Sequence, residues 1–297
     1  MCGLIFTDDH VQKARKNKKR QPHQAGWEML LGASQAGNPL QQVQWDGWRY
    51  RFNADLAAGE QGISTLINLP VPTNTPDLLI ALQLHDLLYD HPAYKGDWLQ
   101  RCITQFDSLP QADDIVEKLW QSVVQTAIGV LTQDEARLQD GISVFHWAID
   151  EAIHPEGYLT EAVKVGPEAT ALERQIKSVQ ALCLIAEMVK STNLWKYNNR
   201  GVSITTAATY PLYYFFYPEK WKWNGEEWKP SNGVTEADAK QIFKSHAGFL
   251  ELVRHHYDPP LKAIQMILDE LRPVYDPFCG GLLTLSHADA KKWSLFG

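Results

Sequence analysis

Four stretches of the chain set aromatic rings beside cationic or amide side chains. "QWDGWRYRFN" carries Trp45, Trp48, Arg49, Tyr50, Arg51, Phe52 and Asn53. "EGYLTEAVKVGPEATALERQIKSVQ" carries Tyr158, Glu161, Lys164, Arg174, Gln175 and Lys177. "NLWKYNNRGVSITTAATYPLYYFFYPEKWKW" carries Trp195, Tyr197, Asn198, Asn199, Arg200 and Tyr210. "LVRHHYDPP" carries Arg254, His255, His256, Tyr257 and Asp258. Ring faces stack on sugar rings, while Arg, Lys and Asn bind hydroxyls and carboxylates. With 11 Trp, 11 Tyr and 10 Phe, this mixture suits a carbohydrate cleft, above all one for an anionic sugar. A plainer reading stands beside it. The rings then fill gaps between helices, His255 and His256 sit where a helix C-terminus favours cations, and Arg174 is tied up in a salt bridge.

The opening "MCGL" holds a different chemistry. A cysteine exposed by loss of Met1 can use its own amine as base, as N-terminal nucleophiles do. Such enzymes place that cysteine at the head of a strand, whereas here "FTDDHVQKARKNKKR" reads as Thr7 capping a charged helix. Cys2 is therefore read as incidental.

The elements that must position these groups are helical. Apolar residues recur at helical spacing in "TPDLLIALQLHDLLYDHP", "ADDIVEKLWQSVVQTAIGVLTQ", "QDEARLQDGISVFHWAIDEAIHPEG" and "EATALERQIKSVQALCLIAEMVKST". Thr235 opens a further helix with a Thr-x-x-Asp box, and Pro273 stops the last one. "WRYRF" is ambiguous between strand and helix, and residues 57–76 read as a long loop, either a lid or a packed surface segment. "NNRG" (198–201) reads as a helix–helix turn, with Trp195 and Tyr197 ending the helix before it and Ser203 capping the helix after it. Successive helices with short connections imply antiparallel pairs in a single domain over 1–297.

The totals exclude some classes. A net charge of −7 argues against a general nucleic-acid binder, and "KARKNKKR" reads as a solvated helix face. Cys2, Cys102, Cys183 and Cys279 are far apart, so neither a zinc site nor a redox pair is expected. No apolar run is long enough for a bilayer, so no membrane partner is expected. The N-terminus has no signal-peptide pattern, which implies a cytoplasmic protein or a chain lacking its leader.

From Glu156-Gly157-Tyr158-Leu159 through Ala171-Leu172, Gln180-Ala181-Leu182 and Ala186-Glu187, the chain resembles the alginate-lyase-type polysaccharide lyases. Leu194-Trp195, Tyr197, Gly201, Ser203-Ile204, Tyr210 and Trp221 extend the match, and "FTDDHVQKAR" and "GFLELVRHHYDPP" add weaker similarity at both ends. The resemblance implies an all-α fold, an incomplete (α/α) toroid of antiparallel helix pairs around a groove. It also implies β-elimination on an acidic polysaccharide or oligosaccharide, with no cofactor. That chemistry needs a neutralised uronate carboxylate, a base for the C5 proton and an acid for the leaving oxygen. The chain departs from the family at these positions. Arg174-Gln175 stand where the family has Tyr-His, Lys164 stands near its arginine, and Asp113-Asp114 and Trp120 occupy the neighbourhood of its Asn-His. Within a lyase reading Arg174, Lys164 and Gln175 face the carboxylate, and the base comes from Tyr210, Tyr257, His255 or His256. Trp48, Arg49, Arg51, Trp120, Tyr158, Lys177 and Arg200 are the candidate substrate contacts. Two alternatives remain open: a toroid that binds an acidic glycan without cutting it, and a glycoside hydrolase using carboxylates such as Asp113 and Glu161.

Overall fold

The computed structural model describes residues 3–224, 232–257 and 261–290. The readings made for Cys2 and Asp258 lie outside them. The described helices are α1 (Asp8–Lys16), α2 (His23–Leu31), α3 (Pro39–Asn53), α4 (Leu56–Ile67), α5 (Thr75–Leu88), α6 (Trp98–Asp107), α7 (Ile115–Thr132) and α8 (Glu135–Trp147). They continue as α9 (Thr160–Val163), α10 (Glu168–Met188), α11 (Ile204–Thr209), α12 (Leu212–Phe216), α13 (Glu236–Ser245), α14 (Gly248–His256), α15 (Lys262–Leu271) and α16 (Leu283–Ser286).

Local chemistry explains many of the boundaries. Asn38, Asp55, Asn74, Asp114, Asp134, Ser203 and Thr235 each cap a helix, their side chains accepting orphan backbone N–H groups. The chain is an all-α toroid, as the resemblance implies. α3, α5, α7, α10 and α14 pack in succession into an arc, with α4, α6, α8 and α13 outside it. α5, α7 and α10 are buried on nearly every side, whereas α6 and α13 bury only two residues each. The inner helices run in parallel. Thr75 and Glu117, near the starts of α5 and α7, are hydrogen-bonded to each other, and so are Glu187 and His256, near the ends of α10 and α14.

A segment from Pro273 to Leu282 enters the space that the inner helices surround. Its Pro277 and Phe278 carbonyls accept from Gln44 and Gln83, its Gly280 carbonyl accepts from the Trp48 indole, and Phe278 meets Trp120 edge-on. The segment folds back on itself through paired bonds between Asp276 and Gly281, with Gly280 and Gly281 at φ 101° and 109°.

Three local readings change. Residues 56–67 form α4, because Asp55 caps them and Ile63 and Leu66 find a core face, so most of the expected loop is helix. "WRYRF" lies inside α3. "NNRG" is the turn of a two-residue β-hairpin, β1 (Asn198–Asn199) against β2 (Val202–Ser203). Arg200 and Gly201 both take positive φ (53° and 85°), the backbone twist that a tight hairpin needs. The preceding helix ends earlier, at Met188, and Trp195 sits in a 3₁₀ turn.

Candidate active site

The N-terminal ends of the inner helices share one face of the toroid, and the polar groups singled out between residues 158 and 177 meet there. Arg174 on α10 reaches across to α7. Its Nη2 lies 2.5 Å from Asp114 Oδ2 and its Nε donates to the Ala162 carbonyl at 3.1 Å. Burial raises the Asp114 pKa, but the Arg174 guanidinium and the Glu117 and Val116 N–H groups together outweigh it and hold the carboxylate below its usual range. Gln175 is fully buried. It accepts from the Leu159 N–H and donates to the Gly157 carbonyl, so it splints the Gly157–Leu159 turn and is turned away from the groove. Lys164 pairs with Glu161 at 3.7 Å.

Beside the Arg174–Asp114 pair opens a cavity of about 550 Å³. Asp113, Asp114, Glu151 and Glu161 line it, with Lys118 lying 3.7 Å over the Trp147 ring. Further along the rim, His154 stacks on Tyr158 at 4.4 Å, and Tyr158 meets Trp223 at 4.8 Å and Tyr210 at 5.5 Å. Lys222 lies 5.4 Å over the Tyr158 ring.

A second polar group lies on the inward stripe of α10, one residue off Arg174. Glu173, Lys177 and Gln180 follow one another at four- and three-residue steps, with Glu187 two turns on, on a helix that is otherwise largely apolar. Glu173 bridges two helices: Lys177 Nζ lies 2.7 Å from its Oε1, and His246 Nε2 lies 3.4 Å from the same oxygen. The His246 contact is the largest influence holding the Glu173 pKa down, to about 2, with Lys177 adding to it against the cost of burial. His246 Nδ1 lies 3.2 Å from Gln180 Oε1, and Gln180 Nε2 donates to Asp276 Oδ2 at 2.7 Å. Asp276 is fully buried and also accepts from the Gly248, Phe278 and Cys279 N–H groups. Tyr275, the next residue along, packs edge-on against Trp45 at 5.1 Å.

Other expected site residues lie elsewhere. Trp48 is 1% exposed and stacks on Phe52, so it offers no ring face to a ligand. Trp120 is likewise buried, against Phe278. Arg49 is spent on the Leu30 and Gly32 carbonyls, and Arg51 on Asp90 and the Asp86 carbonyl. Arg200 is exposed on its hairpin. His255 and Tyr257 lie at the C-terminal end of α14, on the opposite face from Arg174. Neither tyrosine considered as base is activated: burial raises the pKa of both Tyr257 and Tyr210. Arg254, near Tyr257 in sequence, engages Asp289 and Gln265.

Sequence reading missed His246, Gln180, Asp276 and Tyr275 and assigned no role to Glu173. One signal was present, the polar stripe at 173, 177, 180 and 187 on an apolar helix. His246 and Asp276 are brought to that stripe only by the fold.

No family model and no curated protein matches the chain. Solved structures match along nearly its whole length. An alginate lyase A1-III variant complexed with tetrasaccharide aligns over 97% of this chain and 98% of its own, at 17% identity and a TM-score of 0.66. Alginate lyase A1-III from Sphingomonas species A1 aligns over 96% and 97%, at 14% identity and 0.66. An alginate lyase from Bacteroides ovatus aligns over 96% and 99%, at 13% identity and 0.64. The chain therefore has an alginate-lyase-type fold.

Proposed function

We propose that this protein is a polysaccharide lyase that cleaves a uronate-containing polysaccharide, alginate- or glucuronan-like, by β-elimination. The reading rests on one observation. The fold matches, end to end, lyases that include one complexed with tetrasaccharide, and its N-terminal face gathers the chemistry such a ligand needs. Lys177, Lys164 and Lys118 stand there, Lys118 over the Trp147 ring, with the rings of Tyr158 and Trp223 further along the rim. The parallel inner helices also turn their N-termini to this face, and helix N-termini favour negative charge. Sugar rings stack on the aromatic faces, and the cations offset the uronate carboxylate so that its C5 proton becomes removable. The reaction is redox-neutral and calls for no redox cofactor.

The test is direct. The protein is mixed with alginate, polyglucuronate and related uronate polymers, and the ultraviolet absorbance of the unsaturated product is followed. A rise with at least one polymer is expected, and none with any of them overturns the reading. A second reading is favoured by the cavity itself. Asp113 and Glu161 line it together, as a hydrolase with an acid and a base would require. New reducing ends without absorbance would put hydrolysis in place of elimination, and saturable binding without product would leave a glycan-binding toroid.

A further inference from the structure

We infer that the reacting centre is built from the inward stripe of α10, with His246 as proton acceptor and Lys177 as the cation that meets the uronate carboxylate. The inference rests on the lyase reading. Its physical core is a chain of hydrogen bonds that holds the hydrogen on His246 Nδ1 and so leaves proton exchange to Nε2.

Asp276 is surrounded by donors, the N–H groups of Gly248, Phe278 and Cys279. The Gln180 amide must therefore present its NH₂ to Asp276, and the same nitrogen reaches the Cys279 sulfur at 3.0 Å. That orientation leaves Gln180 Oε1 facing His246 Nδ1. An amide oxygen only accepts, so Nδ1 carries the hydrogen. Nε2 is then the nitrogen that can exchange its proton: in the protonated ring it donates to Glu173 Oε1 at 3.4 Å, and in the neutral ring it carries the lone pair, on the side of half-exposed Glu173 and Lys177. A proton taken up at Nε2 lands beside the Glu173 carboxylate, which stabilises the imidazolium. Gln180 and Asp276 touch no substrate and are positioning residues.

The step balances within these groups. Lys177 pairs with the substrate carboxylate. His246 Nε2 takes the C5 proton, the C5–H electrons form the C4=C5 double bond, and the C4–O bond breaks. The leaving oxygen takes the proton back from Nε2, which restores the neutral ring. Neither Arg174, held by Asp114, nor Gln175, buried in its turn, has a part in this step.

The test uses the full chain and the uronate polymer that it turns over. His246→Gln is expected to lower kcat by about 10²-fold or more with KM within a few-fold, the size of a lost general base. Lys177→Met is expected to raise KM as well. Thermal melting checks that each variant folds, with His246→Asn in reserve. Nitrogen-15 spectra of the wild-type histidines at alkaline pH are expected to show His246 as the Nδ1–H tautomer, whether or not turnover is seen. Wild-type kcat in a folded His246 variant, or an Nε2–H tautomer, overturns the assignment and leaves the lyase reading standing. Failure of wild type on every uronate polymer overturns both.

Discussion

At the scale of single residues, the molecule sorts its charges by burial. Glu251 is completely buried, and Arg272 meets it with two bonds of 2.8 and 2.7 Å while Thr284 adds a third. Removing one partner of such a pair strands the other charge in the interior. Arg272→Met is therefore expected to cost about 3–5 kcal/mol, read from denaturant unfolding. A loss near zero would mean that water reaches Glu251. At the face opposite the groove, His10, His255, His256 and His287 crowd around Glu187. Burial, followed by the neighbouring His287, lowers the pKa of His10 from 6.5 to about 3 and of His255 to about 4. Burial does the same to His23, to about 4. The unfolded chain takes up these protons near its ordinary histidine pKa, while the folded chain takes them up only in stronger acid. Stability is thus complete above pH 6.5 and falls as pH drops from there towards 4. Denaturant midpoints across that window test it, and a flat profile refutes it.

At the scale of elements, the segment 273–282 decides whether the arc of inner helices holds its shape. It gives hydrogen bonds or ring contacts to α3, α5, α7 and α10 and closes on itself at Gly280-Gly281. Gly281 sits at φ 109°, and a Cβ there would run into the Trp48 indole nitrogen. Gly281→Ala is expected to cost on the order of 1–3 kcal/mol from backbone strain alone, with the clash added. The expected readout is a lower denaturant midpoint. Because the same segment holds Asp276, which orients Gln180 and through it His246, this variant should also lose turnover beyond what its lower stability explains. The α7–α10 contact is tied by Arg174 and Asp114, which uses up a cation that the sequence alone would assign to substrate.

At the scale of the whole molecule, the protein carries −7 while its proposed polymer is a polyanion. Local cations must then overcome a long-range repulsion. Salt screens that repulsion over a Debye length of about 30 Å at 0.01 M and about 8 Å at 0.15 M. Turnover of a uronate polymer at limiting concentration is therefore expected to rise between these two salt levels. A steep fall instead would mean that the N-terminal face steers the polymer in despite the net charge.

What the sequence determined by itself was whatever depends on neighbours along the chain. Helical periodicity placed the long helices, the Thr235 box marked a helix start, and the Glu156–Trp221 landmarks carried the toroid. The hairpin at Arg200–Gly201 and helix α4 were misread because strand pairing and a core face are not local properties. The site was legible only as a region. Arg174 and Lys177 sit three residues apart and read alike in the sequence, yet the roughly 60° that helical geometry leaves between them sends one to Asp114 on α7 and the other to Glu173 on the inward stripe. His246 and Asp276 lie 66 and 96 residues from Gln180. No spacing rule links them. Only the packing of α10, α14 and the 273–282 segment brings that carboxylate, amide and imidazole into one chain of hydrogen bonds.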